Sequence, residues 1–206
     1  MKQAFFITGT DTGIGKTYVA CQLIRQYVAQ GYRVVGMKPV AAGCELVDGK
    51  WVNEDVRLLT EASNVDAPLQ LVNPYCFNPP IAPHIAAEQE GVDMQLDVIA
   101  QAYQALAELA DIVVVEGAGG LLVPLNAQHT IADLIAYLNI PVLFVVGMRL
   151  GCINHALLTM EVMQARGLNV SAWVANPIDR EMQCYQENLL TLQSKLVAFP
   201  ERIIQV

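Results

Sequence analysis

Long apolar runs are missing from this sequence of 206 residues: none approaches the roughly 20 consecutive hydrophobic positions that a membrane-crossing helix needs, so no membrane partner is expected. The opening Met1-Lys2-Gln3-Ala4-Phe5-Phe6-Ile7 also lacks the apolar region and small-residue cleavage site of a secretory signal. Basic charge is scarce, with 12 Lys and Arg against 20 Asp and Glu, and it forms no cluster. A net charge of −8 disfavours nucleic acid as a partner, because a phosphate backbone rewards a basic face. Cysteines are few and scattered (Cys21, Cys44, Cys76, Cys152 and Cys184), with no C-x-x-C pair. That pattern suggests neither a disulfide framework nor a zinc site, and the expectation is free thiols in a reducing cytoplasm. His84, His129 and His155 show no metal-ligand spacing.

Charged residues make up only 16% of the chain against 54% hydrophobic, which excludes disorder and calls for a large core, with apolar surface left over for a subunit interface. The length fits one α/β domain spanning 1–206. Short, almost wholly apolar runs recur at Ala4 to Thr8, Arg33 to Met37, Ile112 to Glu116, Pro141 to Gly147 and Val170 to Asn176. Strands buried on both faces read this way. Helical stretches lie between them: Lys16 to Gln30, closed by Gly31; Met94 to Leu109; Thr130 to Leu138; and Gly151 to Arg166, closed by Gly167. The alternation predicts a doubly wound, mainly parallel sheet with helices on both faces and a ligand beyond the carboxyl ends of the strands. Two stretches, 38–53 and 72–84, break the rhythm and are expected to be long irregular loops that reach over the strand ends.

The densest signal is Thr8-Gly9-Thr10-Asp11-Thr12-Gly13-Ile14-Gly15-Lys16-Thr17. A strand, a glycine-rich turn, Gly-Lys-Thr and a helix follow one another in the order that a phosphate-binding loop requires. Backbone N–H groups of such a turn face phosphate oxygens at the positive end of the helix. Lys16 would reach the terminal phosphates of a nucleoside triphosphate and Thr17 would place a hydroxyl on Mg²⁺. The spacing is a variant, since the first glycine, Gly9, stands one residue early and Thr10 takes its usual place.

Lys38 follows the second apolar run and precedes Pro39, so it stands at a strand end on the loop side of the sheet. In Ile112-Val113-Val114-Val115-Glu116-Gly117-Ala118-Gly119-Gly120, four apolar residues deliver a carboxylate to another strand end and then enter glycines. Glu116 and Thr17, with nucleotide phosphates, form a sensible oxygen set for Mg²⁺. Asn53 reads as an N-cap with Asp55 in the first helical turn, a setting that explains Asp55 without a metal. Asn176, before Pro177, ends a strand where its amide can read a nucleobase.

Taken together, these residues resemble the dethiobiotin synthetases, members of the P-loop NTPases. The resemblance runs from Gly9-Thr10-Asp11-Thr12 and Gly15-Lys16-Thr17 through Lys38-Pro39-Val40, Asp55, Val72-Asn73-Pro74-Tyr75, Pro83-His84 and Val115 to Gly120, and on to Gly151-Cys152-Ile153-Asn154-His155-Ala156 and Trp173-Val174-Ala175-Asn176. The family shares the variant loop spacing. It implies an ATP- and Mg²⁺-dependent cyclo-ligase, which converts 7,8-diaminononanoate and CO₂ to dethiobiotin. Lys38, Lys16 and Thr12 would be catalytic. ATP would be held by Gly13, Ile14, Gly15, Lys16, Thr17, Tyr18, Asp55, Glu116, Gly117, Ala118, Gly119, Asn176 and Pro177, with Thr17, Asp55 and Glu116 as metal ligands. Ala42, Ala82, Gly151 and Asn154 fall at substrate positions, and a homodimer is implied.

Ala42 and Ala82 stand where the family commonly carries serine, and Tyr185 is the nearest counterpart of a family tyrosine. Phe199 to Val206 replaces a Gly-x-Ile-Pro loop that embraces the adenine and ribose. Two other readings share the fold. One is a nucleotide-gated switch of the partitioning type, which usually has a further lysine early in the loop, where this chain has Asp11 and Thr12. The other is a related amidoligase acting on a different carboxylate.

Overall fold

A computed structural model of the chain describes residues 3–47 and 49–200, with Lys50 described by its backbone alone. The first apolar run is strand β1 (Gln3–Gly9), which leads through the glycine turn into helix α1 (Lys16–Ala29) and strand β2 (Val34–Met37). The chain continues through β3 (Val40–Ala42), a hairpin of β4 (Glu45–Val47) and β5 (Lys50–Val52), α2 (Glu54–Ala62), α3 (Leu69–Val72), β6 (Tyr75–Phe77) and α4 (Pro83–Gln89). The regular rhythm then returns with α5 (Leu96–Leu109), β7 (Ile112–Glu116), α6 (Ile131–Leu138), β8 (Val142–Met148), α7 (Cys152–Ala165), β9 (Val170–Pro177) and α8 (Tyr185–Lys195).

Five strands form one parallel sheet in the order β2-β7-β1-β8-β9. Every residue of β7 and β8 is buried, which is why these runs carry no polar alternation. The period-2 geometry of the strands divides the core in two. Ile7, Val34, Val114, Leu143 and Val145 face α1 and α2 on one side. Phe6, Val35, Val113, Val115, Phe144 and Val146 face α5, α6 and α7 on the other. The doubly wound parallel sheet predicted above is therefore present. Gly36 sits where α2 crosses β2, and a Cβ there would meet Leu59 Cβ at 2.9 Å, so glycine permits the close approach.

The stretches 38–53 and 72–84 are more ordered than expected. β3 and β6 form a separate parallel pair, with Val40 opposite Tyr75 and Ala42 opposite Phe77. Strands of three residues are too short to show a hydrophobic period, so only their prolines and glycines stood out. This pairing corrects the expectation of five free thiols: Cys44 and Cys76 are joined by a disulfide, with Cα atoms 6.2 Å apart. Contact between two distant short strands brings them together, which spacing along the chain cannot reveal. Cys21, Cys152 and Cys184 are free. Among the described residues, no helix is long and apolar enough to cross a membrane.

Candidate nucleotide and carboxylate site

Ile14, 1% exposed, anchors the loop after β1 from below by packing against Gly9 and Gly147. Asn176, at the end of β9, donates from Nδ2 to the Ile14 carbonyl oxygen at 2.8 Å. Its amide nitrogen is thus committed to holding the loop. Gly15 takes φ of +80°, and a Cβ there would lie 2.2 Å from that same Nδ2. Glycine is needed for both the left-handed backbone and the space. Lys16 begins α1 and curls back to donate to the Asp11 carbonyl oxygen at 2.6 Å. Burial and the nearby Lys38 ammonium push the Lys16 pKa down to about 8.

Strands β2 and β7 pair directly, with Met37 opposite Val115, so the residues that follow each strand emerge side by side. Lys38 Nζ lies 2.6 Å from Glu116 Oε1 and 2.8 Å from Asp55 Oδ2. Thr17 donates its hydroxyl to the same Glu116 Oε1 at 2.9 Å. Lys38 is 5% exposed and Glu116 is 1% exposed. Removing two such ions from water costs several kcal/mol each, a penalty that their direct contact offsets. Burial acts against the Lys38 ammonium, but the two carboxylates outweigh it and hold its pKa above the ordinary lysine value. For Asp55, burial acts to raise the pKa, yet Lys38 prevails and the carboxyl lies below its usual range.

Asp55 owes its place to Asn53, whose Oδ1 accepts from the Asp55 and Val56 N–H groups as the predicted cap of α2. Asn53 Nδ2 also donates to the Ala42 carbonyl oxygen at 3.2 Å, tying the cap to β3. Sequence reading gave Asn53 the cap alone. A second link that it missed joins Arg149, just beyond β8, to Asp11 Oδ2 at 2.6 Å. The visible hint was a cation directly after an apolar strand.

Lys16, Thr17, Lys38, Asn53, Asp55 and Glu116 line a cleft of about 780 Å³ over the carboxyl ends of β1, β2 and β7. Of the residues singled out in the sequence, Thr12, Gly13, Gly15, Lys16, Thr17, Lys38, Ala42, Asp55, Ala82, Glu116, Ala118 and Gly119 line it. Val40, Ala41, Asn53, Pro80, Ile81, Pro83 and Val123 complete the wall. Ile14, Tyr18, Gly117, Gly151, Asn154, Asn176 and Pro177 lie outside this lining; Gly151 caps α7, and Asn154 is exposed in its first turn. Phe199 and Pro200 follow α8, and the Pro200 carbonyl oxygen accepts from Trp173 N at 3.1 Å. The remaining residues of the divergent C-terminal segment, 201–206, lie outside the described residues.

The donor set suits a hard divalent cation. Glu116 Oε2 is buried without a hydrogen-bond partner, and Asp55 and the Thr17 hydroxyl add oxygens beside it. Among the described residues, no three His, Cys, Asp or Glu gather into a metal group of their own. Two carboxylates and a hydroxyl leave an octahedral ion short of ligands, which fits Mg²⁺ that keeps water and takes phosphate oxygens.

The parallel sheet, the loop between β1 and α1, and the carboxylate at the end of β7 define a P-loop nucleotide-binding protein. The solved structures agree at the level of fold: a ParA family ATPase from Chlorobium tepidum aligns with a TM-score of 0.56 at 14% identity, covering 100% of this chain and 86% of that one. The cell division protein FtsY of Thermotoga maritima aligns with a TM-score of 0.51 at 16% identity, covering 100% of this chain and 62% of that one. A family profile described as an AAA domain matches residues 3–199. The ATP-dependent dethiobiotin synthetase of Nitrosospira multiformis is 53% identical over 95% of this chain and 85% of its own length. That of Aromatoleum aromaticum is 50% identical over 95% and 87%. The chain belongs to the ATP-dependent dethiobiotin synthetase family, ligases of biotin biosynthesis.

Proposed function

We propose that the chain, acting as one α/β unit, makes dethiobiotin from 7,8-diaminononanoate, CO₂ and ATP in the cleft over β1, β2 and β7. An amine of the substrate takes up CO₂ and loses a proton to become a carbamate. A carbamate oxygen then attacks the γ-phosphorus and the bond to ADP breaks. The second amine attacks the carbonyl carbon of the mixed anhydride and loses a proton, the carbon–oxygen bond to phosphate breaks, and the urea ring closes as phosphate leaves. Each species is anionic, so the protein's task is to position it and neutralise its charge.

The observation that carries this reading is the meeting of Lys16, Thr17, Lys38, Asp55 and Glu116 within one cleft. Lys16 supplies charge to the phosphates and Lys38 to the carbamate and the transferring phosphoryl group. Thr12 lies beside them on the loop, its N–H donating to Asp11 Oδ1 at 2.7 Å. Thr17, Asp55 and Glu116 hold Mg²⁺, which supplies charge stabilisation at the phosphates. Asn176 and Pro177 flank the loop on the side where the base lies. Ala42 and Ala82 line the diamine side of the cleft without hydroxyl groups.

The working unit in this reading is a homodimer. Leu158 on α7 is 56% exposed and lines, with Leu121, Leu122 and Val123, a second cleft of about 450 Å³; Leu150, just before α7, is 92% exposed. Apolar surface of this kind favours burial against a second copy. Gly151 and Asn154, outside the first cleft, lie on this face and would hold the substrate's carboxylate tail at the start of α7.

The test is turnover: ATP, Mg²⁺, bicarbonate and the diamine should yield ADP and the cyclic urea. Lys38→Ala should still bind ATP while turnover disappears. ADP release independent of the diamine would instead favour the partitioning switch.

A further inference from the structure

Lys38 is held on both sides by groups assigned above to Mg²⁺, and this has a chemical consequence. Its ammonium contacts Glu116 Oε1 at 2.6 Å and Asp55 Oδ2 at 2.8 Å. The Thr17 hydroxyl donates to that same Glu116 oxygen at 2.9 Å. One cationic nitrogen therefore lies within contact distance of both carboxylates and shares an oxygen with the third metal-assigned side chain. We propose that in the nucleotide-free protein Lys38 is the stand-in for the divalent cation, and that metal loading displaces its ammonium and so presents it to the reacting anion. The proposal rests on the assignment of Thr17, Asp55 and Glu116 as metal ligands.

The electrostatics require one cation or the other. Without a positive charge, the part-exposed Asp55 carboxylate and the buried Glu116 carboxylate stand close together, an arrangement whose repulsion Lys38 removes. With a metal ion held by these two carboxylates, through the unpartnered Glu116 Oε2 and Asp55, an ammonium that kept both its contacts would lie beside a dication. Like charges that close repel even at the intermediate dielectric of a protein site. The lysine stem is flexible, and the adjoining cleft gives the ammonium a route toward bound anions. Exchange keeps the local charge compensated throughout. It also orders the reaction: Lys38 is sequestered until the metal and its nucleotide arrive, and only then meets the carbamate.

Mn²⁺ binding to nucleotide-free protein, followed by the electron paramagnetic resonance signal of the free ion, tests this apart from activity. Lys38→Met keeps the stem and removes the competing charge, so it should bind Mn²⁺ at least about tenfold more tightly than the wild type. Unchanged or weaker binding by folded Lys38→Met would overturn the exchange. Glu116→Gln serves as the control on the ligand assignment, and if it leaves Mn²⁺ affinity intact the metal site itself has been misplaced. A second readout needs no variant. Acetylation of Lys38 in the wild-type protein, read by peptide mass spectrometry, should accelerate severalfold when saturating Mn²⁺ is added, whereas an unchanged rate would also reject the exchange.

Discussion

At the residue scale, Gly15 and Asn176 form a pair whose roles are inseparable. The left-handed backbone at Gly15 has φ of +80°, and the Asn176 amide fills the space that a side chain would need. An alanine there carries a backbone penalty of about 1–2 kcal/mol and collides with the amide. Gly15→Ala should therefore weaken binding of a non-hydrolysable ATP analogue by about tenfold or more, measured by calorimetry, since each 1.4 kcal/mol is a factor of ten. Global stability should fall by about 1–2 kcal/mol through the same strain, with the protein still folded. The sequence pattern announced Gly15 plainly and placed Asn176 at a strand end, but it held no sign of that amide's bond to the loop. Its donation to Ile14 spans 162 positions, and no local pattern records such a contact.

Among the elements, the β3–β6 pair is what local reasoning could not supply. The five strands of the main sheet and their helices were readable because each is long enough for burial to leave a continuous apolar signature. Lys38, Asp55 and Glu116 were readable as strand-end or cap residues. Their convergence depends on β2 and β7 being neighbours, which is a property of strand order. The Cys44–Cys76 bridge was unreadable for the same reason, since it spans 32 positions and joins β6 to a residue two beyond the end of β3. Closing a loop of that length in the unfolded chain is worth roughly 3 to 4 kcal/mol in the entropic account. Backbone bonds from Cys44 N to Phe77 O and from Gly43 N to Pro79 O hold the same segments without it. Dithiothreitol should therefore lower the melting temperature of the wild type by several degrees while leaving it folded, and should have no such effect on Cys44→Ser. Differential scanning calorimetry of both proteins under both conditions provides the comparison.

For the whole molecule, the proposed dimer draws on the exposed apolar surface of α7. Leu158 is exposed in the single chain, so placing a charge there costs the monomer little, whereas in a two-copy interface it would be buried unpaired. Leu158→Asp should shift the protein to a monomer in sedimentation experiments with its circular dichroism unchanged, and should raise KM for the diamine if the substrate tail is held at this face. The sequence foreshadowed this surface only through its surplus of apolar residues. Which residues formed the patch depended on how α7 lies over the sheet.

The bond between Asn176 and Ile14 also bears on how fast a nucleotide is captured. It straps the far strand of the sheet to a loop that would otherwise sample many shapes, so the ligand meets a receptor already in form. Little conformational freedom remains to be surrendered on docking. Capture should then be governed by diffusion and charge, with the slow events of the cycle deferred to later steps.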